Sequence, residues 1–291
     1  MENNTGVLYI VSVPIGNYGD MTFRAREILE NADYIASEDT RRSALLLRNL
    51  NIEINNRLIS NHKFNEHAKT RYFINDLMDG KNVALITDAG TPCISDPGNE
   101  LIKEAVRQGI RVSPVPGCCA AIAALSVCGF DLRSFSFYGF FPRDNAGKSR
   151  LIRDILRDSG VNTCVFYESP KRIIEAVTFF VDEGINCRMC LCNDLTKFYE
   201  YCYRGTPAEV LEELELRGTY EKGEYVMVVE FTRDKESGGD KESLTPEALL
   251  TETMVSSGCT LKEAIKQLTA EKCRYSKNEL YDAGLRLKEL F

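Results

Sequence analysis

The sequence predicts an α/β protein of two successive α/β domains followed by a small C-terminal helical segment. Three observations predict it. Short apolar runs alternate with amphipathic helical stretches through the first third of the chain. The same rhythm resumes after Gly129 with more aromatic and antiparallel character, and from Thr245 onward only helical periodicity remains.

Val7–Val13 reads as a strand, ended by the turn Pro14-Ile15-Gly16-Asn17-Tyr18-Gly19-Asp20. Thr22 then caps a helix whose apolar residues Ala25, Ile28, Leu29 and Ala32 recur at helical spacing. Tyr34–Ser37 is the next strand and Ser43–Leu50 the next helix; Ile59–Asn75 holds a strand and a helix. Asn82–Thr87 is a strand followed by a helix over Pro97–Gln108, and Arg111–Val115 a strand followed by an Ala-rich helix over Cys119–Val127. Repeated β-α-β of this kind builds a parallel sheet with helices on both faces.

Beyond Gly129, strands are expected at Ser134–Phe140, Thr163–Tyr167, Cys187–Cys192 and Tyr225–Phe231, and helices at Lys148–Arg157, Lys171–Glu183 and Ala208–Leu216. The domains are placed at 1–120, 121–234 and 244–291, the last after the Gly-containing, charged linker Asp234–Ser243. The final segment reads as three helices, Pro246–Val255, Leu261–Ala270 and Lys277–Leu290, with Ser276 and Glu279 forming a capping box. It suits either a docking bundle or a helix-turn-helix contact with nucleic acid.

Composition narrows the function classes. With 44% hydrophobic and 27% charged residues among 291, the chain buries a real core and is not disordered. Its apolar runs fall far short of the ~20 residues that cross a membrane, and its start lacks a signal-peptide pattern, so a cytoplasmic location is expected. A net charge of −7 excludes a nonspecific nucleic-acid coat; any RNA contact needs a local basic patch. Eleven cysteines at irregular spacing argue for reduced thiols. The densest group is Cys187, Cys190, Cys192 and Cys202. Because Cys187 and Cys190 face opposite sides of a strand, these residues are read as small apolar core residues, and no metal is expected.

Ligands of open parallel sheets bind beyond the carboxyl ends of the strands. Those ends carry Pro14-Ile15-Gly16-Asn17, Glu38-Asp39-Thr40-Arg41-Arg42, the run Asp88 to Gly98, and Pro114-Val115-Pro116-Gly117. None is a Rossmann or Walker cradle: Gly147-Lys148-Ser149 has Pro142 where that motif needs Gly. The two histidines, His62 and His67, lack a Gly-x-Ser-x-Gly partner, which leaves a Ser/His/Asp nucleophile without support.

In combination, Leu8 to Asn17, Ser37-Glu-Asp-Thr-Arg41, Thr87-Asp-Ala-Gly-Thr-Pro92 with Asp96-Pro-Gly98, Pro116-Gly117, Phe166-Tyr-Glu-Ser-Pro170 and Gly223-Glu224 resemble the ribosomal small subunit methyltransferase I family. That family comprises the 16S rRNA cytidine 2′-O-methyltransferases, a branch of the tetrapyrrole methylase superfamily, and the resemblance spans essentially the whole chain. It implies a homodimer using S-adenosyl-L-methionine, bound in a cleft between two α/β domains of tetrapyrrole methylase type. Carried over by position, the cofactor contacts fall at Pro14, Asp88, Ala89, Gly90, Thr91, Ile94, Cys119, Ala120, Tyr167, Leu195 and Glu224. The chain departs from the family at Asn193, where Arg-Glu-Leu-Thr-Lys becomes Asn-Asp-Leu-Thr-Lys, and at Phe64, which replaces a histidine.

Methyl transfer to a ribose hydroxyl requires position and a path for one proton. Candidates for that path are Glu38, Asp39, Glu168 and Lys197, with Asp39 also suited to capping a helix and Glu168 to holding the cofactor edge. Arg41, Arg42, Arg143, Lys148, Arg150, Arg153, Lys171 and Arg172 are expected to meet the phosphates of the 16S rRNA in the small ribosomal subunit, and Tyr138, Phe140 or Phe141 to stack on a base. Two alternatives remain: a small-molecule methylase of the same fold, and a non-catalytic RNA-binding assembly factor.

Overall fold

The computed structural model describes residues 5–54, 57–62, 66–157, 162–218, 220–232, 244–270, 273 and 275–289. Phe64 and the linker Asp234–Ser243 lie outside them. The chain forms two compact units, residues 1–232 and residues 233–291.

In the first unit the predicted β-α-β rhythm appears as β1 (Val7–Val11), α1 (Phe23–Asn31), β2 (Tyr34–Ser37), α2 (Thr40–Asn49), β3 (Leu58–Ser60), α3 (Glu66–Met78), β4 (Val83–Ile86), α4 (Asn99–Arg107), β5 (Arg111–Val115) and α5 (Ala120–Cys128). The five strands form one parallel sheet in the order β3-β2-β4-β1-β5. Every residue of β4 is buried, as expected of a strand covered on both faces. Its alternate residues serve separate cores: Ala84 and Ile86 pack with Ala25, Leu29 and Leu47 of α1 and α2, whereas Val83 and Leu85 pack with Phe73, Leu77 and Leu101 of α3 and α4. The first strand is shorter than predicted, because the chain leaves the sheet at Ser12 and Val13 keeps only an isolated bridge to Gly90. The second helix starts earlier than predicted: the Asp39 carboxylate accepts the Arg41 N–H at 2.9 Å and caps it.

The remaining elements of this unit are β6 (Phe135–Phe140), α6 (Asn145–Arg157), β7 (Thr163–Glu168), α7 (Ile173–Asp182), β8 (Cys187–Asn193), β9 (Tyr201–Gly205), α8 (Pro207–Arg217) and β10 (Tyr225–Phe231). The strands form a mixed sheet in the order β6-β7-β10-β8-β9, with only β6 and β7 parallel. Strand β9 has no counterpart among the sequence expectations. Helices α6, α7 and α8 cover one face through Ile152, Phe180 and Leu214, and α5 covers the other through Ala121, Ala124 and Leu125, packed on Val165, Val226 and Val228. Because α5 leaves the end of β5 and lies on the second sheet, it brings the loops of one sheet to the strand ends of the other.

The second unit contains α9 (Pro246–Ser257), α10 (Leu261–Ala270) and α11 (Lys277–Glu289), which bury Leu250, Ile265, Leu268 and Leu280 together. The expected capping box is present: the Ser276 N–H donates to Glu279 at 2.7 Å, and the Glu279 N–H donates to the Ser276 hydroxyl at 3.3 Å.

Candidate active site

Three loops at the carboxyl ends of β1, β4 and β5 are bound to one another by short polar contacts. Val13 and Gly90 exchange backbone hydrogen bonds of 2.9 and 3.1 Å. The Thr91 hydroxyl donates to the Cys118 carbonyl at 2.9 Å and lies 2.9 Å from the Ser12 hydroxyl, which donates to it. Gly90 holds the turn at φ +81°, where a side chain would be strained.

These loops and the ends of β7 and β10 enclose a mostly apolar cavity of ≈ 350 Å³. Its size lies within the ~300–1,000 Å³ of small-molecule sites. Ala89, Gly90, Thr91 and Ile94 line one side; Cys119 and Ala120, Tyr167, and Glu224 line the rest. An adjoining recess holds Pro14, Asp88, Lys197 and Arg42, and shares Ala89 and Glu224 with the cavity. Leu195 lines neither. Its side chain is buried in the apolar core with Ile15 and α5, so a contact with the cofactor would come through its backbone. The cavity also contains Ser95, Asp96, Ser169 and Pro170, to which the sequence reading gave no role, although Asp96-Pro-Gly98 belongs to the motif that carried the resemblance.

The charged groups fall into two classes. On the first sheet's side, carboxylates crowd together. Burial, and secondarily the neighbouring Glu38 and Asp88 charges, push Asp96 up to about 6 against the pull of the Thr87 hydroxyl. Glu38 is also raised, by burial first and then by Asp88. Asp39 goes the other way: the Arg41 N–H holds its carboxylate below the usual range, which makes it a helix cap and a weak base.

On the second sheet's side, charges are paired. Glu168, 3% exposed, receives both Nε (2.8 Å) and Nη2 (2.5 Å) of Arg172, and its Oε1 also accepts the Ser169 N–H at 2.6 Å. Arg172 further donates to the Phe141 carbonyl at 2.9 Å. The pair fixes the end of β7, and Glu168 lines the cavity while paired to Arg172. Lys197 donates to Asp194 at 2.6 Å and pairs with Glu224 at 3.1 Å. Burial alone would lower its pKa, but these carboxylates outweigh it and hold the amine charged, which removes it as a base. Burial, and then Cys119, push the Tyr167 phenol up to about 12, so it stays protonated.

The loop after β8 is held by close approach. Asp194 and Thr196 adopt φ of 51° and 68°, a left-handed conformation uncommon outside glycine. A Cβ on Gly223 would stand 2.4 Å from an Asp194 carboxylate oxygen, so only glycine lets Asp194 reach Lys197 and the Glu224 N–H (3.3 Å). Asn193 donates to the Glu224 carbonyl at 3.5 Å.

Of the cations expected to meet RNA, Arg41, Arg42, Arg143, Arg150, Arg153 and Lys171 are exposed. Arg42 pairs with Asp88 at 3.1 Å. Lys148 is a correction. It is 2% exposed, sits on the inner face of α6 with Ile152 and Ile155, and donates to Glu175 at 2.5 Å. Among the proposed stacking residues Phe140 is exposed, while Phe141 is buried against Phe166 and Phe180, which corrects that reading.

The fold and the cavity define a methylase class. Residues 7–211 match the family model described as Tetrapyrrole (Corrin/Porphyrin) Methylases. Among solved structures, diphthine synthase shares the fold at a TM-score of 0.60, with 13% identity over 78% of this chain and 90% of that one. Uroporphyrin-III C-methyl transferase from Thermus thermophilus, complexed with S-adenyl homocysteine, shares it at 0.51, with 16% identity over 77% and 97%. The ribosomal RNA small subunit methyltransferase I of Vibrio cholerae is 39% identical over 98% of this chain and 96% of its own. The chain belongs to the ribosomal RNA small subunit methyltransferase I family, within the tetrapyrrole methylases.

Proposed function

We propose that the chain transfers a methyl group from S-adenosylmethionine to the 2′-hydroxyl of a cytidine in the decoding region of 16S rRNA. The observation that carries this reading is the cavity at the joined ends of the two sheets, whose lining includes eight of the eleven positions expected to hold that cofactor. The residues fit the group. Small side chains at Ala89, Gly90 and Ala120 leave backbone accessible, and the apolar lining suits an adenosine.

When bound, S-adenosylmethionine supplies an electrophilic methyl on a sulfonium. The chain's own residues orient and take the proton. Backbone at Ala89–Thr91 and Cys119–Ala120, with the Tyr167 ring, would hold the cofactor, while Asp88, Lys197 and Glu224 border the adjoining recess. Asp96, part of the cavity lining and raised to about 6 by burial first, is assigned the proton removal ahead of Asp39, Glu168 and Lys197. Arg41, Arg42, Arg143, Arg150 and Lys171 position the RNA through phosphates, with Phe140 available to stack on a base. The active form is a cytoplasmic homodimer. Among the described residues no helix is long and apolar enough to cross a membrane.

The test is transfer of labelled methyl from S-adenosylmethionine to small ribosomal subunits that lack the modification, with nuclease mapping of the product. The expected product is 2′-O-methylcytidine. Label on a base, on another nucleotide, or none from a chain that binds the cofactor would overturn the reading.

A further inference from the structure

The cysteines of β8 and β9 form a cluster that the methyl-transfer site does not use. Residues 190 and 192 lie two apart on one face of β8, and Cys192 stands directly opposite Cys202 in the antiparallel pairing with β9. The Sγ atoms of Cys190 and Cys192 are 3.8 Å apart and those of Cys192 and Cys202 are 3.2 Å apart. All three lie within 4.8 Å of one another, and none lines the cavity. The strand pair thus supplies what the spacing of Cys187 and Cys190 cannot. Cys187 points to the opposite face, into the core with Phe180 and Phe231.

We propose that Cys190, Cys192 and Cys202 bind one thiophilic divalent cation of the zinc class. Zinc–sulfur bonds of ~2.3 Å place thiolates about 3.8 Å apart in a tetrahedral site, close to the spacing found here. Three soft sulfur ligands select such an ion over magnesium or calcium. Cys190 and Cys192 are fully buried beside Val226, Val228 and α5, whereas Cys202 is part-exposed and leaves an edge from which water can fill the fourth position. Three thiolates around a divalent ion carry one net negative charge. The Arg204 guanidinium, 3.3 Å from the Cys202 carbonyl and 2.8 Å from that of Val127, brings the compensating positive charge beside the site. The ion would fasten the edge strand β9 to β8 and leave the methyl-transfer chemistry untouched.

The test uses the full chain, reduced and metal-stripped without oxygen, titrated with Co(II) and then with Zn(II). One cobalt per chain is expected, with sulfur-to-cobalt charge-transfer absorption that one zinc abolishes. Losing even an outer-shell partner of a metal typically costs 10–100-fold in affinity, so Cys202→Ala should weaken zinc by ~100-fold or more. Cys187→Ala should leave it unchanged. A folded wild-type chain without the charge-transfer band overturns the site, as does zinc whose affinity Cys202→Ala does not alter.

Discussion

The two walls of the cavity treat charge in opposite ways. On the first sheet's side, Arg42 pairs with Asp88 at 3.1 Å, yet burial, and then the charges of Glu38 and Asp88, raise Asp96 in the cavity wall to about 6. On the wall made by the second sheet, acids are matched by bases: Glu168 with Arg172, and Asp194 and Glu224 with Lys197. A half-buried carboxylate held near like charges, as Asp96 is, can exchange a proton near neutral pH; carboxylates matched by bases lock a strand end in place. A charged residue beside a ligand pocket is therefore no guide to chemistry until its partners are known.

The sharpest way to break this contrast is at Asp96. The Asp96→Asn variant should lower the methylation rate by ~10²–10⁴-fold, the usual worth of a positioned proton acceptor. Because the base acts when ionised, the wild-type rate should rise with pH through about 6 and then level off. The variant should lose that acid limb; a variant that kept it would place proton removal elsewhere. Next in size is the other wall. Arg172→Ala strands a buried carboxylate and should cost ~3 kcal/mol of stability in chemical denaturation. A loss well under 1 kcal/mol would mean that Glu168 is not held by its partner. The smallest effect is expected at the rim. Reversing Arg143 and Arg150 to Glu should weaken rRNA binding while cofactor affinity stays intact. The salt slope should fall by roughly 0.7 for each single-strand phosphate that the protein no longer neutralises. Equal weakening of both affinities would mark a folding defect.

Much of the fold was legible because period and punctuation agree along the first sheet. Tyr34–Ser37 and Arg111–Val115 appear with the bounds read from the sequence. Strand β9 escaped because Tyr201–Gly205 is a five-residue edge strand, Tyr-Cys-Tyr-Arg-Gly, that follows a turn containing two left-handed residues. The burial of Lys148 was legible in principle: Lys148, Ile152 and Ile155 fall at i, i+4 and i+7, one face of a helix. Its proximity to the motifs suggested RNA instead. Asp96 stood inside the motif, yet its raised pKa comes from burial and from Glu38 on another loop as well as Asp88 on its own, which no local pattern reports. The cysteine cluster depends on the register of β8 against β9, and that too is a property of the pairing.

The contacts that join Ser12, Thr91, Cys118, Val13 and Gly90 bear on the energetics of recognition. Each ordered backbone residue costs about 1–2 kcal/mol of conformational entropy, and a loop that first ordered around its ligand would lose that amount in every encounter. Here three loops are ordered against one another by the chain itself. Their disorder is lost once, on folding, and the affinity of the cavity is free to reflect the contacts it makes.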